Sequence, residues 1–86
     1  MKLNFPPRNA GIFIGGETGT LEEFCIAVYE GKVIGVLEKS GGVCDKIQDV
    51  MSVCPTNHGA IIIYESDYKK LLSQVLKHLE KRGAKR

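Results

Sequence analysis

The sequence predicts an α/β fold in which a short parallel sheet lies between helices, with the element order βαβαβα. Two observations support this prediction. Three short, nearly continuous apolar runs recur along the 86 residues, and such runs are typical of strands buried on both faces. Each run is followed by a segment whose apolar residues repeat at helical spacing. This alternation implies parallel strands joined by helices, in three layers.

The three predicted strands cover Ala10–Ile14, Val33–Leu37 and residues 60–64. Residues 1–9 contain a Pro-Pro pair, which prevents a helix, so we expect an extended lead-in there. The outer edge of the first strand would otherwise expose unpaired backbone groups. We therefore expect it to be covered by a second copy of the chain, by another subunit or by residues 1–9. If a second copy covers it, the protein is a homo-oligomer that assembles through the edge of the first strand.

Each strand leads into a predicted helix. The predicted helical ranges are 21–30, 43–53 and 67–82. The first helix has Thr20 as a candidate N-cap and Glu23 three residues later, which is the pattern of a capping box. The third carries the clearest apolar stripe, with Ser66 or Asp67 as its N-cap. Gly83 follows it and is expected to end it.

Composition is that of an ordinary folded protein, with 43% hydrophobic and 26% charged residues and a net charge of +2. The length predicts a single domain over residues 1–86, with 1–9 as lead-in and 83–86 as a frayed tail. No apolar run is long enough to span a bilayer, and the first residues do not resemble a secretory signal. We therefore expect a cytoplasmic protein with no membrane partner. The basic tail lacks interleaved aromatic residues, so no nucleic-acid partner is expected.

The three cysteines do not form a recognisable metal or disulfide pattern. Cys25 and Cys44 fall on apolar helix faces, where we expect buried thiols. Cys54 and His58 are four residues apart, but two ligands do not complete a zinc site. No metal and no cofactor are predicted.

The most informative segment joins the first strand to the first helix and reads G-G-E-T-G-T. Glycines let backbone N–H groups approach a ligand, and a helix N-terminus carries about half a positive charge, so this position predicts an anion site. It has neither the lysine of a P-loop nor the G-x-G-x-x-G spacing. The alternative is a tight turn without a ligand. The candidate phosphate ligands are Gly15, Gly16, Thr18, Gly19 and Thr20.

With the residues that follow, this segment closely resembles the G-G-x-G-T-x-x-E signature of the LONELY GUY (LOG) superfamily, whose members are also labelled lysine decarboxylase-like. Gly19, Thr20, Leu21 and Glu23 fall on motif positions without a gap. Roughly residues 10–82 resemble the C-terminal half of such a protein. The resemblance implies a Rossmann-like half domain.

The resemblance also implies a phosphoribohydrolase, which cleaves the N-glycosidic bond of a nucleoside 5′-monophosphate and releases the free base and ribose 5-phosphate. It implies that Gly19 and Thr20 bind the phosphate and that Glu23 is the catalytic carboxylate. Such a carboxylate stabilises the oxocarbenium character that develops on the sugar. The alternative role of Glu23 is helix capping. The expected partner is a nucleoside monophosphate or another phosphate-bearing small molecule.

The sequence departs from the family pattern in two places. Glu17 stands where the family usually has glycine, and a carboxylate beside the predicted phosphate site repels phosphate. The catalytic arginine of the family lies in an upstream helix that is absent from these 86 residues. Arg8, followed by Asn9, is a candidate remnant of it, with an ordinary surface arginine as the alternative. Three functions follow: a hydrolase completed by assembly, a non-catalytic nucleotide-binding module, or a truncated chain without activity.

Overall fold

The structure, a computed structural model, describes residues 1–5, 9–54 and 56–84, which form a four-stranded sheet with helices packed on it. The strands are β1 (Lys2–Phe5), β2 (Ala10–Ile14), β3 (Val33–Leu37) and β4 (Ile61–Glu65). The helices are α1 (Thr18–Tyr29), α2 (Ile47–Ser52) and α3 (Tyr68–Ala84), and a 3₁₀ turn (Gly42–Asp45) precedes α2. The fold is mixed α/β with a mostly parallel sheet, compatible with the half domain expected from the sequence.

Strands β2, β3 and β4 are parallel, and β1 is antiparallel to β2. Strand β1 covers the edge of β2, pairing Lys2 with Phe13 and Phe5 with Ala10. Of the three covers expected for this edge, residues from the lead-in therefore provide it. The homo-oligomer was predicted to form through this edge of β2, which is already paired within the chain. An oligomer remains a prediction, and it would need a different surface.

Helices lie on both faces of the sheet. Helices α1 and α2 cover one face, where the Phe13 and Phe24 rings meet edge to face with centroids 5.6 Å apart. Helix α3 covers the other face, where Leu71 and Val75 are fully buried. Gly35 in β3 makes room for α3, because a Cβ there would lie 2.9 Å from the Val75 side chain. The result is a three-layer arrangement.

Helix α3 begins as predicted and ends later than predicted. The Asp67 carboxylate accepts hydrogen bonds from the backbone N–H groups of Lys69 and Lys70, at 2.9 and 3.3 Å, which confirms Asp67 as the N-cap. The helix passes Gly83 and ends at Ala84, so the predicted stop at Gly83 is wrong. The Arg82 guanidinium donates to the carbonyls of Gly31 and Gly59 and holds the last turn against the loops that precede β3 and β4. No helix among the described residues is both long and apolar enough to cross a membrane.

The helices on the other face differ more from the predictions. Helix α1 begins at Thr18, three residues earlier than expected, and its N-cap Glu17 makes no side-chain capping bond. The predicted capping box is wrong, because the buried Thr20 hydroxyl accepts a hydrogen bond from the Met1 nitrogen at 3.1 Å. The helix predicted over 43–53 is split at Lys46 into the 3₁₀ turn and α2. A long-range hydrogen bond from the Val43 N–H to the Gly16 carbonyl accounts for this split.

Candidate functional site

The loop between β2 and α1 is a sharp turn that requires glycine. Gly15 and Gly16 have φ angles of 54° and 89°, a region that L side chains rarely adopt. A Cβ on Gly16 would also overlap the Thr20 side chain, which folds back over it from the first turn of α1. The first turn of the helix therefore packs directly on the glycine pair, and this contact starts α1 at Thr18 without a side-chain cap.

A second loop, residues 38–43 after β3, is hydrogen-bonded to the glycine pair. The Ser40 hydroxyl accepts the Gly15 N–H at 2.9 Å and donates to the Leu37 carbonyl at 2.6 Å. The Val43 N–H donates to the Gly16 carbonyl at 2.9 Å. Since Val43 lies in the 3₁₀ turn, this bond fixes the start of that turn and separates it from α2. The two loops form one unit at the carboxyl ends of β2 and β3, which is where ligands bind in parallel sheets.

The hydrogen bonds divide the five candidate phosphate ligands into two groups. The Gly15 N–H and the Gly16 carbonyl are used in the contact between the loops, and the Thr20 hydroxyl faces Met1. These three residues shape the turn. Thr18 and Gly19 are exposed in the first turn of α1, and a Cβ on Gly19 would meet nothing within 4 Å. Their backbone N–H groups are in the first turn of α1, where N–H groups have no hydrogen-bond acceptor within the helix.

The charge around this helix end favours an anion in one respect and opposes it in another. The first turn of the 12-residue α1 contains no acidic residue, so its partial positive charge is not neutralised from within that turn. Glu17 immediately precedes the turn, and its side chain is exposed. An exposed carboxylate can rotate into solvent, which weakens its repulsion of a bound phosphate but does not abolish it.

The proposed catalytic groups are only partly described. Glu23 is exposed and lies four residues after Gly19, one helical turn further along the same side of α1. Neither a hydrogen bond nor an ion pair involves its carboxylate among the described residues. Arg8 lies outside the described residues. The structure thus places Glu23 beside the first turn of α1 and leaves the candidate arginine without a position.

A polar cavity of ≈ 200 Å³ lies at the same end of the sheet, and it was not among the sites predicted from the sequence. It contains two carboxylates, an amide, a phenol, a thiol and an ammonium group. These belong to Glu38, Asp45, Gln48, Tyr64, Cys44 and Lys39. The loop that holds Ser40 against Gly15 also supplies Glu38 and Lys39. The rule that ligands bind beyond the carboxyl ends of parallel strands was the available signal, because Glu38 directly follows β3.

Two groups of this cavity have shifted pKa values. Burial raises the pKa of the Tyr64 phenol, and the nearby Glu38 carboxylate raises it further. Burial also raises the pKa of the Cys44 thiol, with the chain's amino terminus and a hydrogen bond from Ser40 opposing the shift in part. Both groups are therefore held in their neutral forms, the phenol as a hydrogen-bond donor and the thiol as an unreactive core group.

The other cysteines lie away from this end of the sheet. Cys44 is buried as predicted, whereas the prediction for Cys25 is wrong, because its side chain is exposed on α1. Cys25 and Cys54 both line an apolar groove of ≈ 240 Å³ between α1 and α2. Within the described part of the chain, no group of three histidine, cysteine or acidic side chains is placed to hold a metal ion.

Comparison with protein-family models, with curated proteins and with solved structures gives no significant match to this chain.

Proposed function

We propose that this protein binds a nucleoside 5′-monophosphate, with the 5′-phosphate at the N-terminus of α1. The observation that carries the proposal is the exposed first turn of α1, which has no side-chain cap and directly follows a glycine turn at the carboxyl end of β2. The backbone N–H groups of Thr18 and Gly19 and the Thr18 hydroxyl are the donors to the phosphate. Gly15, Gly16 and Thr20 hold the turn in shape.

The polar cavity beyond the Ser40 loop suits the remainder of such a ligand. The carboxylates of Glu38 and Asp45 accept hydrogen bonds from ribose hydroxyls or a base amino group, and the Tyr64 phenol donates one. A volume of ≈ 200 Å³ is below the range usual for complete small-molecule sites and accommodates one part of a nucleotide. The ligand therefore extends from α1 towards the cavity.

The binding test compares two substitutions at one exposed position. Thr18→Asp puts a negative charge in the first turn, which favours the helix but repels phosphate. Thr18→Asn introduces a side chain of nearly the same shape as aspartate, without the charge. We expect Thr18→Asp to weaken nucleotide binding about tenfold or more, and Thr18→Asn, whose amide donates in place of the Thr18 hydroxyl, to weaken it much less. Calorimetric titration with a panel of nucleoside 5′-monophosphates and the matching nucleosides measures both. Equal binding of nucleotide and nucleoside would show that the phosphate does not contribute to binding, and would contradict the proposed phosphate site.

Glu17 gives a test with the opposite sign. Glu17→Gln removes the charge that opposes the phosphate, and two charges a few ångströms apart in water interact by about 1 kcal/mol. We therefore expect about fivefold tighter binding in the same titration. Unchanged or weaker binding would mean that the phosphate does not lie beside this residue.

Phosphoribohydrolase activity is the second candidate, favoured by the exposed Glu23 carboxylate one turn after Gly19. Incubation with the nucleotide panel, followed by chromatography for free base, tests it. We expect Glu23→Gln to reduce base release about a hundredfold, because it removes the charge that stabilises the transition state, and Glu22→Gln to leave it nearly unchanged. Binding without base release identifies a non-catalytic module, and the absence of both identifies a chain without this function.

A further inference from the structure

The outer edge of β4 presents backbone groups for hydrogen bonding. The Ile61 N–H donates to the Lys32 carbonyl at 3.1 Å, and the Glu65 carbonyl accepts from the Glu38 N–H at 2.9 Å. Alternate residues of a strand bond to the same side, so Ile61, Ile63 and Glu65 bond to β3. The N–H and C=O groups of Ile62 and Tyr64 therefore point away from the sheet, and no other described strand pairs with them.

This edge lacks the features that usually prevent strand pairing. The sequence I-I-I-Y-E contains no proline, no lysine and no bulge, and all five residues are only half-buried. The opposite edge of the sheet, β1, differs. Its Met1–Ile14 hydrogen bonds imply that Lys2 and Asn4 are the residues whose backbone groups face outward. A lysine and an asparagine at those positions protect that edge, whereas β4 has an isoleucine and a tyrosine.

We propose that β4 pairs antiparallel with β4 of a second copy of this chain, with the two-fold axis at Ile63. In this register Ile62 lies opposite Tyr64 of the partner subunit. Both residues have outward backbone groups, so each pair exchanges two hydrogen bonds, and every outward group of Ile62 and Tyr64 is satisfied. The same patch serves both subunits, as a two-fold interface requires. The pairing extends the sheet from four strands to eight.

Side chains support the same register. Ile62 and Tyr64 both pack against the core under α1 and α2, so in the dimer an isoleucine of one subunit lies beside a tyrosine of the other. Aromatic and β-branched side chains form favourable cross-strand pairs. A cavity of ≈ 530 Å³ borders this edge, and its lining consists of Ile62, Tyr64, Met51, Cys54, Thr56 and Asn57. The Tyr64 ring of the partner subunit fills part of it.

Charge selects the antiparallel orientation. The end of β4 carries the carboxylates of Glu65 and Asp67. Its start carries the Arg82 guanidinium, which donates to the Gly59 carbonyl at 2.8 Å. Antiparallel pairing brings the acidic end of one strand beside the basic end of the other, twice in the dimer. Parallel pairing would place like charges together.

Molar mass and hydrogen exchange test the proposal on the native chain. Light scattering coupled to gel filtration should give twice the 9.5 kDa of one chain at micromolar concentration. In the dimer, the amide protons of Ile62 and Tyr64 should exchange slowly with solvent, like those of Ile61 and Ile63. A monomer at these concentrations overturns the proposal. A dimer in which the Ile62 and Tyr64 amides exchange rapidly also overturns it, and neither measurement needs a variant.

Two proline substitutions locate the interface. Ile62→Pro removes an outward N–H from β4 and should halve the measured mass, since proline is tolerated at strand edges where the N–H faces solvent. Asn4→Pro makes the matched change on β1 and should leave the dimer intact. Circular dichroism of both variants checks that the fold is kept. Dissociation by Asn4→Pro alone would assign the interface to β1 and contradict the proposal.

Discussion

The two faces of the sheet are covered by different means. On one face, α3 is a single long helix with an Asp67 cap and a regular apolar stripe. On the other face, α1 has no side-chain cap, α2 has six residues, and the loops that precede these helices are held together by hydrogen bonds to Ser40 and Gly16. Local sequence preferences thus determine the α3 face, and contacts between distant residues determine the α1 face. The candidate site lies at the end of the sheet where α1 begins.

The largest effect that separates the two faces is expected from Gly16→Ala. The substitution places a Cβ at φ 89° and against the Thr20 side chain, so both backbone strain and overlap oppose it. We expect a loss of about 2–4 kcal/mol in the free energy of unfolding, measured by urea denaturation. Gly19→Ala, three residues later, meets nothing within 4 Å and should stabilise the chain by about 0.5 kcal/mol. Equal effects would show that the glycine turn does not set the start of α1.

The sequence predicted those elements whose structure depends on neighbouring residues. Apolar runs gave the exact limits of β2 and β3 and placed β4 within one residue, because strands buried on both faces need continuous apolar sequence. The Asp67 cap was likewise predictable. The early start of α1 was not predictable, because it arises from the packing of the Thr20 side chain on Gly16. The break before α2 was not predictable either, since it follows from a bond between Val43 and Gly16.

The same distinction applies to the candidate site. The glycine turn was recognisable because its residues are consecutive. The polar cavity was not, since its groups come from the segment after β3, the 3₁₀ turn, α2 and the end of β4. The individual roles of the phosphate candidates were equally hidden. Only the position of Ser40 shows that the Gly15 N–H is used within the protein.

A smaller difference is expected between the two helix starts. Asp67→Ala removes the carboxylate that accepts two backbone N–H groups of α3, and losing such a cap costs about 1 kcal/mol. Glu17→Ala, at the N-cap of α1, removes no capping bond, so we expect a change below about 0.5 kcal/mol. Urea denaturation of the two variants side by side measures the contrast. A loss of about 1 kcal/mol in Glu17→Ala would mean that α1 has a side-chain cap after all.

The smallest expected effect is a loss of stability at alkaline pH that arises on the α1 face. Tyr64 and Cys44 both pack on this face, and burial is the main cause that raises the pKa of each. A raised pKa means that the folded chain favours the neutral form. The resulting stability is complete below the unfolded pKa values, about 8.5 for the thiol and about 10 for the phenol, and it is lost as pH rises through the folded values.

The free energy of unfolding should therefore fall from about pH 8.5 upwards, and the double variant Cys44→Ala, Tyr64→Phe should show a shallower fall although it is less stable at neutral pH. An equally steep fall in the double variant would place the titrating groups elsewhere, and the α1 face would then not be the alkali-sensitive one.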